Sequence, residues 1–165
     1  MIIREFRKSD TASFCDAIGE VAQERRYILT TEAPSLQKIN EWVETYLNEP
    51  HAHFIAEDNG RVVGWADIIR LKRPSLAHIG NLGMGVLAAY RGRGVGNELI
   101  KRALDKAWEI GLERIQLEVF SNNAAALNLY QKHGFEIEGH KRKACYMNDE
   151  YLDIICMAQF KKTDD

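Results

Sequence analysis

The chain has 165 residues, 45% hydrophobic and 28% charged, with 22 Lys and Arg against 24 Asp and Glu, a formal net charge of −2. That length suits one domain with a sizeable core, the apolar content excludes a disordered chain, and the balanced charge excludes a general nucleic-acid binder. No stretch reaches the roughly 18 apolar residues of a membrane-spanning helix, the start Met1-Ile2-Ile3-Arg4-Glu5-Phe6 lacks a long signal core, and Cys15, Cys145 and Cys156 show no C-x-x-C spacing. The expectation is a cytoplasmic protein with a single domain over 1–165, and neither nucleic acid nor membrane as a partner.

Ile2 to Phe6 reads as a first strand. Ser9-Asp10 offers a helix cap before Phe14, Ile18 and Val21 at helical spacing, and a second helix is expected from Leu36 to Leu47. His53–Glu57 and Arg61–Ile69 flank Asp58-Asn59-Gly60, a hairpin signal. A strand from about His78 to Leu87 enters a glycine-rich turn, and the helix after it carries Leu99, Ile100, Ala103, Leu104 and Ala107, with Gly111 as its C-cap. Ile115–Phe120 is a strand, Ala124–His133 a helix stopped by Gly134, and Phe135–Ile137 another strand. A last hairpin pairs Lys143–Met147 with Tyr151–Phe160. Single helices between the middle strands and antiparallel pairs at both ends predict a mixed α/β (α+β) fold.

The turn Tyr90-Arg91-Gly92-Arg93-Gly94-Val95-Gly96 joins a strand directly to a helix. Glycines permit left-handed backbone angles, and the unpaired amides and dipole of a helix start attract phosphate. Gly96-Asn97-Glu98 is not the Gly-Lys-Ser/Thr of an NTP-binding loop, and the turn comes too late in the chain for a dinucleotide fingerprint. A plain surface turn is the competing reading. The preceding strand, Gly80-Asn81-Leu82-Gly83-Met84-Gly85-Val86, holds glycines that indicate a bulge or a close backbone approach. A bulge would turn amides outward beside the phosphate loop, which suits coenzyme A.

On Ile115–Phe120 the alternation puts Glu118 opposite the Ile115, Leu117, Val119 face. A carboxylate held in a cleft is a general-base candidate, while a wet sheet face or an arginine partner explains it equally well. Tyr130 reads as a core residue with its hydroxyl at the rim, and Asn123 as a helix cap. Cys145 beside His140-Lys141-Arg142-Lys143 is a weaker nucleophile candidate, and His51-x-His53 reads as ordinary strand histidines rather than metal ligands.

Arg91-x-x-Gly94-x-Gly96 after a glycine-broken strand, with Asn123-Ala124-Ala125-Ala126-Leu127-Asn128-Leu129-Tyr130 and Gly134-Phe135, resembles the GCN5-related N-acetyltransferase (GNAT) family. The Gly139–Met157 tail is similar to bacterial amino-acid and phosphinothricin-type acetyltransferases. The resemblance implies the acyl-CoA N-acyltransferase fold, a twisted mixed sheet of about seven strands flanked by about four helices. It implies acetyl-CoA as co-substrate without a metal, held by Met84, Gly85, Val86, Arg91, Gly92, Arg93, Gly94, Val95, Gly96, Asn123, Ala126 and Tyr130. The acetyl group would pass by direct attack to a small primary amine such as an amino acid, with Glu118 as base, the Val86 amide at the oxyanion and Tyr130 as acid. Many relatives carry an acidic or polar side chain where this chain has Gly83. The acceptor is expected among the first two helices, their connection and the last hairpin, at Tyr27 and Glu32. Alternatives are a ribosomal-protein-type N-terminal acetyltransferase and a non-catalytic acyl-CoA sensor; family members commonly form homodimers.

Overall fold

The structure, a computed structural model, describes residues 1–162. Its strands are β1 (Ile2–Glu5), β2 (Ala52–Asp58), β3 (Arg61–Arg70), β4 (Ile79–Val86), β5 (Arg114–Phe120), β6 (Glu136–Met147) and β7 (Glu150–Phe160). The helices are α1 (Thr11–Gln23), α2 (Leu36–Leu47), α3 (Val95–Glu109) and α4 (Ala124–Lys132). The seven strands form one sheet in the order β1-β2-β3-β4-β5-β7-β6. Only β4 and β5 run parallel; every other neighbouring pair is antiparallel. The mixed α/β fold expected from the element order is the fold observed.

Local sequence explains most element ends. Asn59 and Gly60 both take positive φ between Asp58 and Arg61, and Asn148 and Asp149 do the same between β6 and β7, the two-residue geometry that matches strand twist. Ser35 caps α2 by accepting the Lys38 amide at 3.2 Å, and Asn123 caps α4 by accepting the Ala126 amide at 3.2 Å. Ser9-Asp10 behaves differently from its expected capping role. Both lie in a short 3-10 turn over Lys8–Asp10, and the Asp10 carboxylate accepts from two Arg4 nitrogens and the Arg7 amide, each at 2.8 Å. A charged partner on β1 outcompetes the cap. The two short strands expected at Phe135–Ile137 and Lys143–Met147 are one strand, β6, whose pairing with β7 shifts at Ile137/Gly139 and again at Lys141/Cys145.

Alternation along β3 sorts the layers. Trp65 meets Phe14 of α1 edge-on at 5.7 Å between ring centres. A Cβ built on neighbouring Gly64 would lie 3.2 Å from Leu99 of α3. Helices α1 and α3 therefore cover opposite faces. Phe14, Ile55, Ile68, Leu99, Ile100, Leu112, Ile115 and Met157 are the largest side chains sealed between these layers.

Candidate active site

The parallel ladder between β4 and β5 is short, pairing Ile79, Gly80 and Asn81 with Arg114, Ile115 and Gln116. Beyond it β4 continues on β3 as far as Val86, while β5 continues on β7 to Phe120. The strands thus splay, and their opening is the centre of the site. The expected bulge is absent: the β3–β4 register is regular from Gly64/Val86 to Arg70/Gly80. Close approach, the other expectation, explains the strand glycines. A Cβ on Gly85 would fall 2.3 Å from the Trp65 ring, and one on Gly80 would fall 2.5 Å from Ile68. The Leu87 amide bonds the Val63 carbonyl at 2.9 Å, so by antiparallel alternation the Met84 and Val86 amides point away from β3, into the opening.

A cleft of about 380 Å³ runs from this opening to the start of α3 and the side of α4. It brings together Met84, Gly85 and Val86 with Arg91, Gly92, Gly94, Val95 and Gly96, and Asn123, Ala126 and Tyr130 from the other wall. Gly92 and Gly94 take φ of +70° and +80°, angles that L side chains rarely adopt, and nothing lies within 4 Å of where their Cβ atoms would be. Gly94 stands at the N-cap of α3, whose first amides lack intrahelical acceptors. A backbone cradle open on one side, at the positive end of a helix dipole, fits a diphosphate.

Arg91 lines the cleft, but its guanidinium is already held: Nη1 and Nη2 donate to Glu24 at 2.8 and 2.5 Å and Nε donates to the Val86 carbonyl at 2.8 Å. It also stacks 4.3 Å over the Tyr27 ring. Arg93 is the one sequence-predicted coenzyme residue outside the cleft lining; it lies 5.5 Å over Tyr90. Asn123 spends its side-chain oxygen on the α4 cap.

A smaller cavity of about 140 Å³ joins Glu118, Tyr130, Tyr27, Gly83 and Met84. Tyr130 is only 8% exposed, packs edge-on to Phe135 at 5.8 Å, and burial pushes its hydroxyl up to about 12. Glu118 is exposed and ion-paired with Lys141 of β6, with the Cys156 sulfur 4.0 Å away. Tyr27 borders both cavities, whereas Glu32 is exposed on the α1–α2 connection, outside both. His53 is buried, stacked on Phe6 at 4.2 Å and hydrogen-bonded through Nδ1 to the Tyr46 hydroxyl at 2.5 Å. All three cysteines are free.

One site residue escaped sequence reasoning. Asp67 sits in the buried run Val62–Ile68 of β3, 8% exposed, and lines a third cavity of about 300 Å³ between β3, β4, α1 and α2. Burial pushes its carboxyl up to about 7. The only signal in the sequence was an acid inside an otherwise apolar strand.

Comparison with known proteins agrees with this geometry. The profile of the Acetyltransferase (GNAT) family matches residues 16–135. The L-amino acid N-acetyltransferase AaaT of Escherichia coli is 33% identical over 159 residues, 94% of this chain and 96% of that protein. The N-alpha-acetyltransferase RimI of Mycobacterium tuberculosis is 40% identical over 98 residues, 59% of this chain and 60% of that one. The crystal structure of a GNAT-family acetyltransferase from Streptococcus pneumoniae superposes with a TM-score of 0.90 at 26% identity, covering 97% of this chain and 99% of that one. The chain belongs to the GNAT acetyltransferase family, and the activity that follows is acetyl-CoA-dependent N-acetyl transfer.

Proposed function

We propose that the protein moves the acetyl group of acetyl-CoA directly onto the primary amine of a small molecule, an amino acid or a related amine, as a single-domain cytoplasmic enzyme. One observation carries this reading. Met84 and Tyr130 border both the coenzyme cleft and the adjoining 140 Å³ cavity, a continuity at the splayed strands that supports direct attack of the acceptor on the bound donor. The similarity to an L-amino acid acetyltransferase over nearly the whole chain supports the small-molecule acceptor.

Acetyl-CoA would supply an activated thioester, its diphosphate on the Gly92–Gly96 cradle and its pantetheine amides along Met84 and Val86. The residues then handle protons. An alkylammonium has a pKa of about 10, so about one amine in a thousand is nucleophilic at pH 7, a deficit of roughly 4 kcal/mol. Glu118, facing solvent beside Lys141, relays protons from the attacking nitrogen to water. The Val86 amide donates to the developing oxyanion. Tyr130, held neutral by burial, donates a hydrogen bond to the departing thiolate.

The test is CoA release with acetyl-CoA plus either L-amino acids or a short peptide with a free N-terminal alanine. Faster release with amino acids is expected. Preference for the peptide would favour the second reading, a protein N-terminal acetyltransferase, which the 40% identity to an N-alpha-acetyltransferase supports. Coenzyme binding without amine-dependent release would favour a sensor. Glu118→Gln should lower turnover most at acid pH, and a constant ratio to wild type across pH would remove Glu118 from this role.

A further inference from the structure

Two aspartates of this chain are almost equally buried, Asp10 at 9% and Asp67 at 8% exposure, and their surroundings could hardly differ more. Asp10 accepts three hydrogen bonds, two of them from Arg4, and its carboxyl is held below its ordinary range despite its burial. Among the described residues nothing donates to the Asp67 side chain or pairs with it, and desolvation alone acts on it. A buried carboxyl without a partner costs stability and invites an explanation from function.

Its position supplies one. Asp67 is the cross-strand neighbour of Gly83, and a Cβ built on Gly83 would lie 3.4 Å from Asp67 Oδ1. The carboxyl therefore lies over β4 in van der Waals contact with the place a Cβ at position 83 would occupy, so with glycine there no side chain stands beside it. It opens on the 300 Å³ cavity, walled by Phe14, Ile18, Ile39, Trp42 and Trp65, and no lysine or arginine lines that cavity. Met84 borders this cavity and both others, so the three meet at the strand where acetyl transfer is proposed. An apolar aromatic chamber with one carboxylate suits a cation carried on an apolar body, with the tryptophan faces as a further cation site.

We infer that Asp67 is the group that receives the ammonium of the acceptor, and that the acceptor is a primary amine carried on an apolar or aromatic body. This rests on the acetyl-transfer reading above and names its substrate class. The ammonium gives one proton to the Asp67 carboxylate, and the freed lone pair forms the nitrogen–carbon bond to the acetyl carbon. The carbon–sulfur bond breaks and its pair leaves with the thiolate. The second nitrogen proton departs through water toward Glu118, leaving a neutral amide. The neighbouring elements do not titrate in the same range. His53 on β2 is the cross-strand partner of Asp67, lowered to about 3 by burial, and the Tyr46 hydroxyl on α2 is raised by burial. Helix α1 presents Phe14 and Ile18, and β4 presents Gly83 and Met84.

The test compares the wild-type protein with Asp67→Asn, using 2-phenylethylamine, its neutral counterpart 2-phenylethanol and the polar amine ethanolamine. Trp42 and Trp65 report occupancy by fluorescence. The amine should bind the wild type and bind Asp67→Asn at least about ten-fold more weakly, with 2-phenylethanol indifferent to the substitution. Acetylation of 2-phenylethylamine should lose about 100-fold in kcat/KM while the Kd for acetyl-CoA, measured by calorimetry, changes less than two-fold. If the variant fails to fold, the wild type alone decides: binding of 2-phenylethylamine, protonated throughout, should tighten between pH 6 and 8 as Asp67 ionises. Equal binding by Asp67→Asn, pH-independent binding, or a preference for ethanolamine would overturn the inference. Loss of acetyl-CoA binding by the wild type, with amine binding intact, would instead overturn the acetyl-transfer reading.

Discussion

Arg91 and Glu24 form a two-bond ion pair, at 2.8 and 2.5 Å, that ties the end of α1 to the glycine turn. The same guanidinium bonds the carbonyl of Val86, whose amide faces the strand opening. Arg91 is therefore a strut as well as a charge: it fixes the turn, the end of β4 and the Tyr27 ring in one arrangement.

Arg91→Ala should weaken acetyl-CoA binding about ten-fold, because the strut that holds the preformed cradle is lost. Isothermal calorimetry measures it. The fold should survive, because both partners of the ion pair lie at the surface, about 30% exposed.

Tyr130→Phe should reduce kcat by ten-fold or more and leave the coenzyme Kd nearly unchanged, since the ring packing on Phe135 is kept and only the donor is lost. With the hydroxyl up at about 12, the wild-type kcat should show no loss near pH 10, where an ordinary tyrosine ionises. A fall there would contradict the assigned donor.

Asp67 and His53 should give stability opposite pH dependences. The native carboxyl of Asp67, at about 7, holds its proton over a range where the unfolded chain has lost it. Its contribution is present below pH 4 and is lost as pH rises through 7, so Asp67→Asn should gain on wild type from pH 4 to 8, by up to about 4 kcal/mol. His53, lowered to about 3 by burial, stays neutral where the unfolded chain protonates. Its contribution is present above pH 6.5 and is lost as pH falls toward 3. Urea denaturation of wild type and Asp67→Asn at pH 5 and 8 separates the two. A buried acid that costs stability fits a residue whose role is in activity and not in folding.

Gly85→Ala should destabilise the fold by about 1–3 kcal/mol, because the new methyl would overlap the Trp65 ring at 2.3 Å and the ring is wedged against Phe14. Chemical denaturation tests this. Gly83→Ala, with 3.4 Å to its nearest neighbour, should cost much less.

Most of the frame was readable from local signals. Asn59-Gly60, the Asn123 cap and the glycines of the α3 turn act within a few residues, so their sequence pattern carries their geometry. What was not readable depends on partners that lie on other elements. The glycines of β4 suggested a bulge or a close approach, and only the structure shows that it is a close approach, by Trp65 and Ile68 on the neighbouring strand. Asp10 looked like a cap because Arg4, which claims it, lies on another element. Asp67 showed in the sequence only as an acid inside an apolar strand; its burial comes from being framed by His53, Gly83 and the aromatics of α1 and α2. Glu118 stood in the right strand, but only the structure revealed its pairing with Lys141.

The most direct measurement is calorimetric titration of the purified protein with acetyl-CoA, with ATP and NADP as controls. Acetyl-CoA alone should bind, at one molecule per cleft, and Arg91→Ala should weaken it. Failure of acetyl-CoA to bind while ATP or NADP does would contradict the assignment of the glycine cradle to coenzyme A, and with it the proposed reaction.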